Sequence, residues 1–159
     1  MYIKACVMAP LLLLSLFACA NNDVSTAVPP EMKDGIIAAA QQTPYAAIVK
    51  PVSFAVLEPK GSDSTDSYSE RQVLFKAHVL ETLRGIDYKV IEYYQWIENG
   101  EEIYEEQSPI VVFLCIDKEN RFYYPGLGTQ FPRSKLIIDI AKTAINSTKS
   151  NPSQFEFCD

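Results

Sequence analysis

The sequence contains one histidine, His78, so a catalytic site that needs an imidazole base would have to use it. His78 lies in an alternating segment, together with Lys76 on the less apolar face, where a histidine is usually a surface residue. No Gly-x-Ser-x-Gly sequence or other nucleophile signature is present. The protein is therefore predicted not to be an enzyme, and no residue is assigned a catalytic role.

Metal-binding patterns are also missing. One histidine and widely separated cysteines cannot complete a tetrahedral zinc site, and no Cys-x-x-Cys pair occurs. An acidic series could supply oxygen ligands, but it lacks the spaced aspartates and central glycine of a calcium loop. The series comprises Glu98, Glu101, Glu102, Glu105 and Glu106. We expect a solvated hairpin rim at these residues, and neither a metal nor a cofactor in the protein.

Four cysteines, Cys6, Cys19, Cys115 and Cys158, divide between the N-terminus and the body of the chain. Cys115 and Cys158 are the two that could pair within the domain in an oxidising compartment. A disulfide would close a loop of about 40 residues and stabilise the fold by roughly 4 kcal/mol in the chain-entropy model. The alternative is two separate thiols, with Cys115 a small core residue in an apolar strand. We predict the disulfide, which would hold the C-terminal tail against the sheet.

The N-terminus has the layout of a bacterial export signal. Lys4 precedes an apolar stretch over 5–17, which is shorter than the about 20 apolar residues of a membrane-spanning helix. The stretch ends in Leu16-Phe17-Ala18-Cys19, which resembles a lipoprotein processing site. Cleavage before Cys19 would leave this cysteine as the acylated first residue, and several acyl chains on one residue anchor a protein stably.

Two outcomes of processing follow from these residues. We predict a lipoprotein signal peptide over 1–18, lipidation (palmitate included) at Cys19, and a flexible tether over 19–30. Ala20 resembles the sorting signal for the outer membrane, so the expected location is the periplasmic side of that membrane. Alternatively, Ala18-Cys19-Ala20 fits ordinary signal cleavage after Ala20, which would give a soluble periplasmic or secreted protein.

Aromatic residues crowd the middle of the chain and provide the candidate binding face. Such rings bind ligands by stacking on small barrels and are common at protein interfaces. The candidates are Tyr93, Tyr94, Trp96, Tyr123 and Tyr124. Because successive side chains of a strand point to opposite faces, we expect Tyr93 and Tyr94 to lie on opposite faces, with at least one of them exposed.

The charge of the chain narrows the class of partner. Fourteen Lys and Arg residues against 20 Asp and Glu give a formal net charge of −6. This charge repels phosphate backbones and anionic lipid headgroups, so nucleic acid is not an expected partner. A chain of this length forms one domain, expected over 31–159. The expected partners are the membrane, through the lipid at Cys19, and an unidentified protein.

The first half of the domain predicts one helix and three strands. Alanines and a charged first turn indicate a short helix over 31–42, which Pro44 ends. Strands are predicted over 46–57, 71–83 and 88–97. Pro51 cannot donate to a ladder, so its strand must lie at an edge or carry a bulge at that point.

The second half predicts a hairpin, a buried strand and a helix. Asn99-Gly100 favours a hairpin turn, followed by a short returning strand over 101–107. The segment 109–116 is apolar without alternation, as in a strand buried on both faces, and 121–124 returns beside it. Ser134 is a candidate N-cap of an amphipathic helix whose stripe should close one end of the core. The stripe comprises Ile137, Ile140, Ala141 and Ala144.

These elements predict a mainly β fold, a small closed or curled antiparallel barrel of five to six strands with a C-terminal amphipathic helix and a short N-terminal helix. A strand ending in Leu83-Arg84-Gly85, the segment Val112-Phe113-Leu114-Cys115, and Tyr123-Tyr124-Pro125-Gly126 with Gly128 give the chain a family likeness. It resembles bacterial exported proteins with a netrin-like domain over Ala46 to about Ile145. The resemblance implies an OB-type barrel, the type also found in the tissue inhibitors of metalloproteinases.

The inhibitors' mechanism does not carry over to this chain. In that family the free amine and carbonyl of an N-terminal cysteine chelate the target's zinc, whereas Cys19 here would be acylated on a tether or removed. We therefore expect a lipid-anchored periplasmic protein that acts as a non-enzymatic binding or interaction module. The alternative is a soluble periplasmic or secreted hydrolase inhibitor that uses the polar loop over 61–70 or the acidic hairpin.

Overall fold

The computed structural model describes residues 27–57, 70–98, 100–103, 107–126, 128–148 and 158. The predicted signal peptide, Cys19 and most of the predicted tether lie outside the described residues, as do 61–69 of the polar loop. Among the described residues, no helix has the length and apolar character needed to cross a membrane.

Six strands and two helices make up the described chain. In chain order they are α1 (Pro30–Gln42), β1 (Tyr45–Leu57), β2 (Glu70–Arg84), β3 (Val90–Glu98), β4 (Ile110–Ile116), β5 (Phe122–Tyr123), β6 (Gln130–Pro132) and α2 (Lys135–Ser147). Most predicted elements therefore exist near their predicted positions. Two differences occur after β3: Glu101–Ile103 and Gln107 are not part of a strand, and β6 was not predicted. The glutamate-rich sequence after β3 has low strand propensity, which explains the first difference.

The sheet closes on itself as a five-stranded barrel. The strands follow the order β1-β2-β3-β5-β4, β1 also pairs with β4, and β6 pairs with the first half of β4 on the edge whose far end pairs with β5. The prediction of a mainly β structure with five to six strands is confirmed. A wholly antiparallel sheet is not found, because β3 and β5 run parallel where Tyr93 meets Phe122. Strands in a closed ring of five cannot all alternate in direction, so at least one neighbouring pair must be parallel.

Two apolar cores lie on the two faces of the barrel wall. The interior core comprises Tyr45, Ala47, Val49, Ala77, Ile91, Tyr93, Ile110, Val112 and Leu114. The outer core combines wall residues with both helices and comprises Ile36, Ala39, Ala40, Ala46, Ile48, Val111, Phe113, Phe131, Ile137, Ala141 and Ala144. Alternate residues of β1 and β4 thus enter opposite cores, which explains why β4 is apolar without alternation.

The C-terminal helix begins as the sequence predicts but packs elsewhere. The Ser134 hydroxyl accepts a hydrogen bond from the Ile137 N–H at 3.2 Å, which confirms the N-cap. The buried stripe of α2 contacts α1 and the outer face of the wall rather than closing an end of the barrel. The expectation for Pro51, an edge position or a bulge, is also confirmed: the described β4 pairs with β1 only as far as Val49, and the β1–β2 register shifts between Pro51 and Ser53.

Arg84 and Gly85, from the segment that carries the family likeness, have structural roles at one end of the barrel. The Arg84 guanidinium donates hydrogen bonds to the carbonyls of Ala40, Thr43 and Ile145, near the C-terminal ends of α1 and α2. A cation at helix C-termini complements the negative ends of the helix dipoles. Gly85 has a φ of +97°, and a Cβ there would lie 2.7 Å from the Tyr45 ring. These two residues therefore fix the helices and one barrel end.

Candidate binding site at the open end of the barrel

Unequal strand lengths leave one end of the barrel open. β1 pairs with β2 as far as Leu57 but with β4 only from Tyr45 to Val49. Strands β1, β2 and β3 therefore continue past Ile110, where β4 begins. Among the described residues, no strand pairs with the second edge of β1 beyond that point, and its apolar side chains Phe54 and Val56 are 37% and 48% exposed, whereas Val73 of β2 and Ile97 of β3 remain buried. We call this the open end.

A cleft of about 290 Å³ lies at the open end. Four aromatic side chains line it: Phe54 of β1, Phe75 of β2, Tyr93 of β3, and Tyr124, which follows β5. The Phe75 and Tyr93 rings stack with centroids 5.5 Å apart and planes 17° from parallel. Phe54 continues the row at 6.1 Å from Phe75. In this row Phe54 is the most exposed ring, Phe75 is partly buried, and Tyr93 is buried behind them, so a ligand would meet Phe54 first.

The two tyrosines of the cleft remain neutral at physiological pH. Burial raises the pKa of Tyr93 well above its ordinary value. Burial also raises the pKa of Tyr124, against the opposing effect of hydrogen bonds with Thr129. Neither phenol contributes a negative charge, so the floor of the cleft is aromatic and uncharged.

The rim of the cleft is polar and acidic. Glu101 and Glu102, from the connection after β3, line it together with Gln95 and Gln130, and among the residues that the structure describes no lysine or arginine lines it. Arg71 holds this connection in place, since its guanidinium donates a hydrogen bond to the backbone carbonyl of Glu101. Because that bond uses a backbone acceptor, the contact does not involve the Glu101 carboxylate itself.

The five aromatic residues predicted as a binding face do not share one surface. Tyr93, 2% exposed, and Tyr124 belong to the interior and the cleft, as strand alternation requires. Tyr94, Tyr123 and Trp96 point away from the interior, and Trp96 is 55% exposed. The five residues therefore divide between the two faces of the wall, and the alternation expected between Tyr93 and Tyr94 is confirmed; neither of these two is exposed as expected, since Tyr93 is buried and Tyr94 is partly buried.

The outer tyrosines are held by a charged turn. The Tyr94 and Tyr123 rings stack at 5.7 Å, and the Tyr94 hydroxyl donates to Asp117 Oδ2 at 3.0 Å. Arg121 lies 5.3 Å from the centre of the Tyr94 ring and donates to the same carboxylate at 2.7 Å. Partial burial raises the pKa of Asp117, but hydrogen bonds from the backbone and side chain of Arg121 outweigh this effect and lower it. These contacts give Tyr94 a structural role.

Phe54 and Phe75 are the cleft residues that the sequence did not single out. Phe75 lies on the apolar face of the alternating strand β2, together with Val73, Ala77 and Val79, and this face points inward. A strand pattern distinguishes the inner face from the outer one, but it does not tell where the opposite wall ends. Only the short length of β4 shows that the inner face of β2 becomes accessible at Phe75.

The remaining predicted sites have simple positions. His78 is exposed on the outer face of β2. A disulfide joins Cys115 to Cys158, with Cα atoms 5.4 Å apart, and so fixes Cys158 beside β4. In the part of the chain that the structure describes, no three His, Cys, Asp or Glu side chains are grouped as a metal site would require.

No protein-family model matches this sequence, and none of the curated proteins matches it either.

Proposed function

We propose that this protein is a lipid-anchored envelope protein, on the periplasmic side of the outer membrane, that acts as a non-enzymatic binding module. Its binding surface is the cleft at the open end of the barrel. One observation carries the proposal: the aromatic side chains of the interior core continue into a concave site, where Phe54 of β1 is partly exposed beyond the point at which β4 begins. Aromatic clefts with a few polar rim groups are typical ligand sites.

The strand order favours a particular type of barrel. A five-stranded barrel with the order β1-β2-β3-β5-β4 and an accessible face on β2 and β3 supports an OB-type fold. The resemblance to netrin-like exported proteins points the same way. Proteins with OB-type barrels commonly bind extended ligands across these strands, which agrees with a binding role rather than a catalytic one.

Anchoring at Cys19 would place the cleft close to the membrane. Helix α1 begins at Pro30, and Val28 already packs against the outer core. A flexible tether of about ten residues has an r.m.s. reach of roughly 20 Å. The domain would therefore stay near the membrane surface while remaining able to rotate toward a partner in the periplasm.

Photo-crosslinking in intact cells tests the binding surface. p-Benzoylphenylalanine would be placed at Ser53, on the cleft, and at Asn146, on the exposed face of α2. We expect defined protein adducts from position 53 and none from position 146. Phe54→Ala should abolish the adducts, whereas Trp96→Ala, which removes an exposed ring from the outer face, should leave them unchanged. Equal adducts from both positions, or loss with Trp96→Ala alone, would reject the cleft.

Mass analysis of the mature protein tests the anchor. The wild-type chain should begin at an acylated Cys19 and partition with outer membranes, and Cys19→Ala should accumulate as an unacylated form. An unmodified, soluble wild-type form that begins at Asn21 would contradict lipidation and leave the binding proposal to be judged by crosslinking alone.

A further inference from the structure

The two cysteines of the disulfide have different surroundings. Cys115 of β4 is fully buried, and so are Phe113 and Leu114 beside it. Cys158 is partly exposed and belongs to no helix or strand. Its sulfur lies 3.8 Å from the backbone carbonyl oxygen of Gln42, the last residue of α1. One cysteine of the pair is therefore accessible to solvent, whereas the other is enclosed in the barrel wall.

Access decides which sulfur of a disulfide can react. Exchange begins when a thiolate attacks one of the two sulfurs directly, so a sulfur enclosed in packed protein is protected. Cys115 is 0% exposed, and an attack on its sulfur would require the wall to open. In the folded domain an external thiolate can therefore reach this disulfide only at Cys158.

The backbone of the two cysteines differs in the same sense. Cys115 pairs with Tyr123 of β5, so the sheet fixes its position. Cys158 is joined to β4 by the disulfide itself and takes no part in a strand or helix. When the disulfide opens, Cys158 can move outward with a new partner while Cys115 stays in the wall.

We propose that Cys158 is a modification site, at which the folded domain exchanges its disulfide with a thiol from outside, and that Cys115 is the buried thiol that leaves and later returns. The external thiolate attacks Cys158 Sγ and forms a mixed disulfide. The bond to Cys115 breaks, its electron pair stays on the Cys115 sulfur, and this sulfur takes a proton from water. The reverse attack by the Cys115 thiolate expels the external thiol and restores the first bond, so neither direction needs a further oxidant or reductant.

The modification site is separate from the cleft. Cys115 lies near the end of β4, whereas the cleft is lined by Ile110, where β4 begins. The exchange is therefore independent of the proposed binding function, and failure of one would leave the other standing.

Mapping of mixed disulfides on the oxidised, mature wild-type protein tests the site. Protein in native buffer and protein in concentrated urea would each be incubated with excess reduced glutathione, alkylated at short times with N-ethylmaleimide, and digested for mass spectrometry. In native buffer we expect glutathione on Cys158 and maleimide on Cys115, with a preference of about tenfold or more over the reverse product. Urea is the matched control, because it exposes both sulfurs and should give both products to similar extents.

Two results in native buffer would overturn the inference. Glutathione on Cys115, or equally on both cysteines, would show that the wall does not protect the Cys115 sulfur. Absence of any mixed disulfide in native buffer, while both products form in urea, would show that the folded domain keeps its disulfide closed to external thiols.

Release of glutathione tests the role of Cys115. Protein that carries glutathione on Cys158 would be isolated at acidic pH, where exchange stops, and then returned to neutral buffer. The Cys115 thiolate should expel the glutathione and restore the disulfide with Cys158. A mixed disulfide that persists in neutral buffer would contradict the assignment of Cys115 as the returning thiol.

Discussion

The two ends of the barrel use aromatic residues in opposite ways. The opposite, closed end is sealed by the Tyr45 ring beneath the turn at Gly85. The centre of this ring lies 4.5 Å from that of Phe122 and 6.3 Å from that of Tyr88. At the open end, Phe54 and Phe75 also form a row, yet a cleft of about 290 Å³ remains beside them. Similar residues therefore seal one end and line a site at the other, and the length of β4 makes the difference.

The closed end is also the end that is held by additional constraints. The disulfide joins Cys158 to Cys115 near the end of β4. The Arg84 side chain of β2 donates hydrogen bonds to backbone carbonyls near the C-terminal ends of both helices. The open end has the bulge after Pro51 and exposed apolar side chains instead. Stability is concentrated at one end, so substitutions at the other end should alter binding at little cost in folding free energy.

Loss of the disulfide should produce the largest effect. Cys115→Ala/Cys158→Ala removes a cross-link with a sequence separation of 43 residues, which should lower the free energy of unfolding by about 4 kcal/mol. Urea denaturation of the double variant and of the oxidised wild type measures the difference. Reduction of the wild type should reproduce it, and a variant as stable as the wild type would show that the tail contributes little to the closed end.

Gly85→Ala should cause the second-largest loss of folding free energy. The new Cβ would meet the Tyr45 ring at a backbone φ of +97°, and the two penalties together should cost about 3 kcal/mol. Gly100→Ala is the control, since Gly100 has a φ of +91° but open space at the Cβ position, and it should cost about 1 kcal/mol. Thermal unfolding compares the two, and equal costs would mean that the Tyr45 ring moves aside freely.

Arg84→Met should cost about 2 kcal/mol, because it leaves helix-terminal carbonyls without their cationic donor. Hydrogen exchange should accelerate at the C-terminal turns of α1 and α2 more than in β3. Arg133→Met, at an exposed position before α2, is the matched control and should change neither stability nor exchange. Uniform acceleration throughout the domain would indicate a general loss of stability rather than release of the helix ends.

Phe54→Ala should have the smallest effect on folding, about 1 kcal/mol or less, since its side chain is partly exposed at the open end. The same change should remove binding to the cleft. Denaturation measures the effect on folding, and crosslinking from position 53 measures the effect on binding. A cost comparable to that of Gly85→Ala would contradict the separation of the two ends.

The sequence predicts elements better than it predicts the site. Ser134, Pro51 and the apolar β4 carry local signals, because capping, the missing proline N–H and burial on both faces leave direct marks in the residues. The short strand β6 has three residues and no such mark. The parallel pairing of β3 with β5 follows from closure of the whole ring, which no local pattern encodes.

The cleft is likewise a property of the assembled barrel. Tyr93 and Tyr94 are adjacent in sequence, and alternation alone separates them into the interior and the outer face. Which inner residues become accessible depends on where β4 begins relative to the longer strands beside it. The sequence pattern therefore predicts core positions for Phe54 and Phe75, and only the folded structure shows that both line the cleft.

Chemical-shift mapping tests the central claim most directly. Isotope-labelled mature protein would be titrated with the partner identified by crosslinking from position 53 while backbone amide resonances are followed. We expect shifts at Ser53–Leu57, Phe75, Gln95 and Glu101–Ile103, with the closed end around Tyr45 and Gly85 unchanged. Shifts centred on Tyr94, Trp96 and Tyr123, with the cleft residues unchanged, would contradict the claim that the open end of the barrel is the binding site.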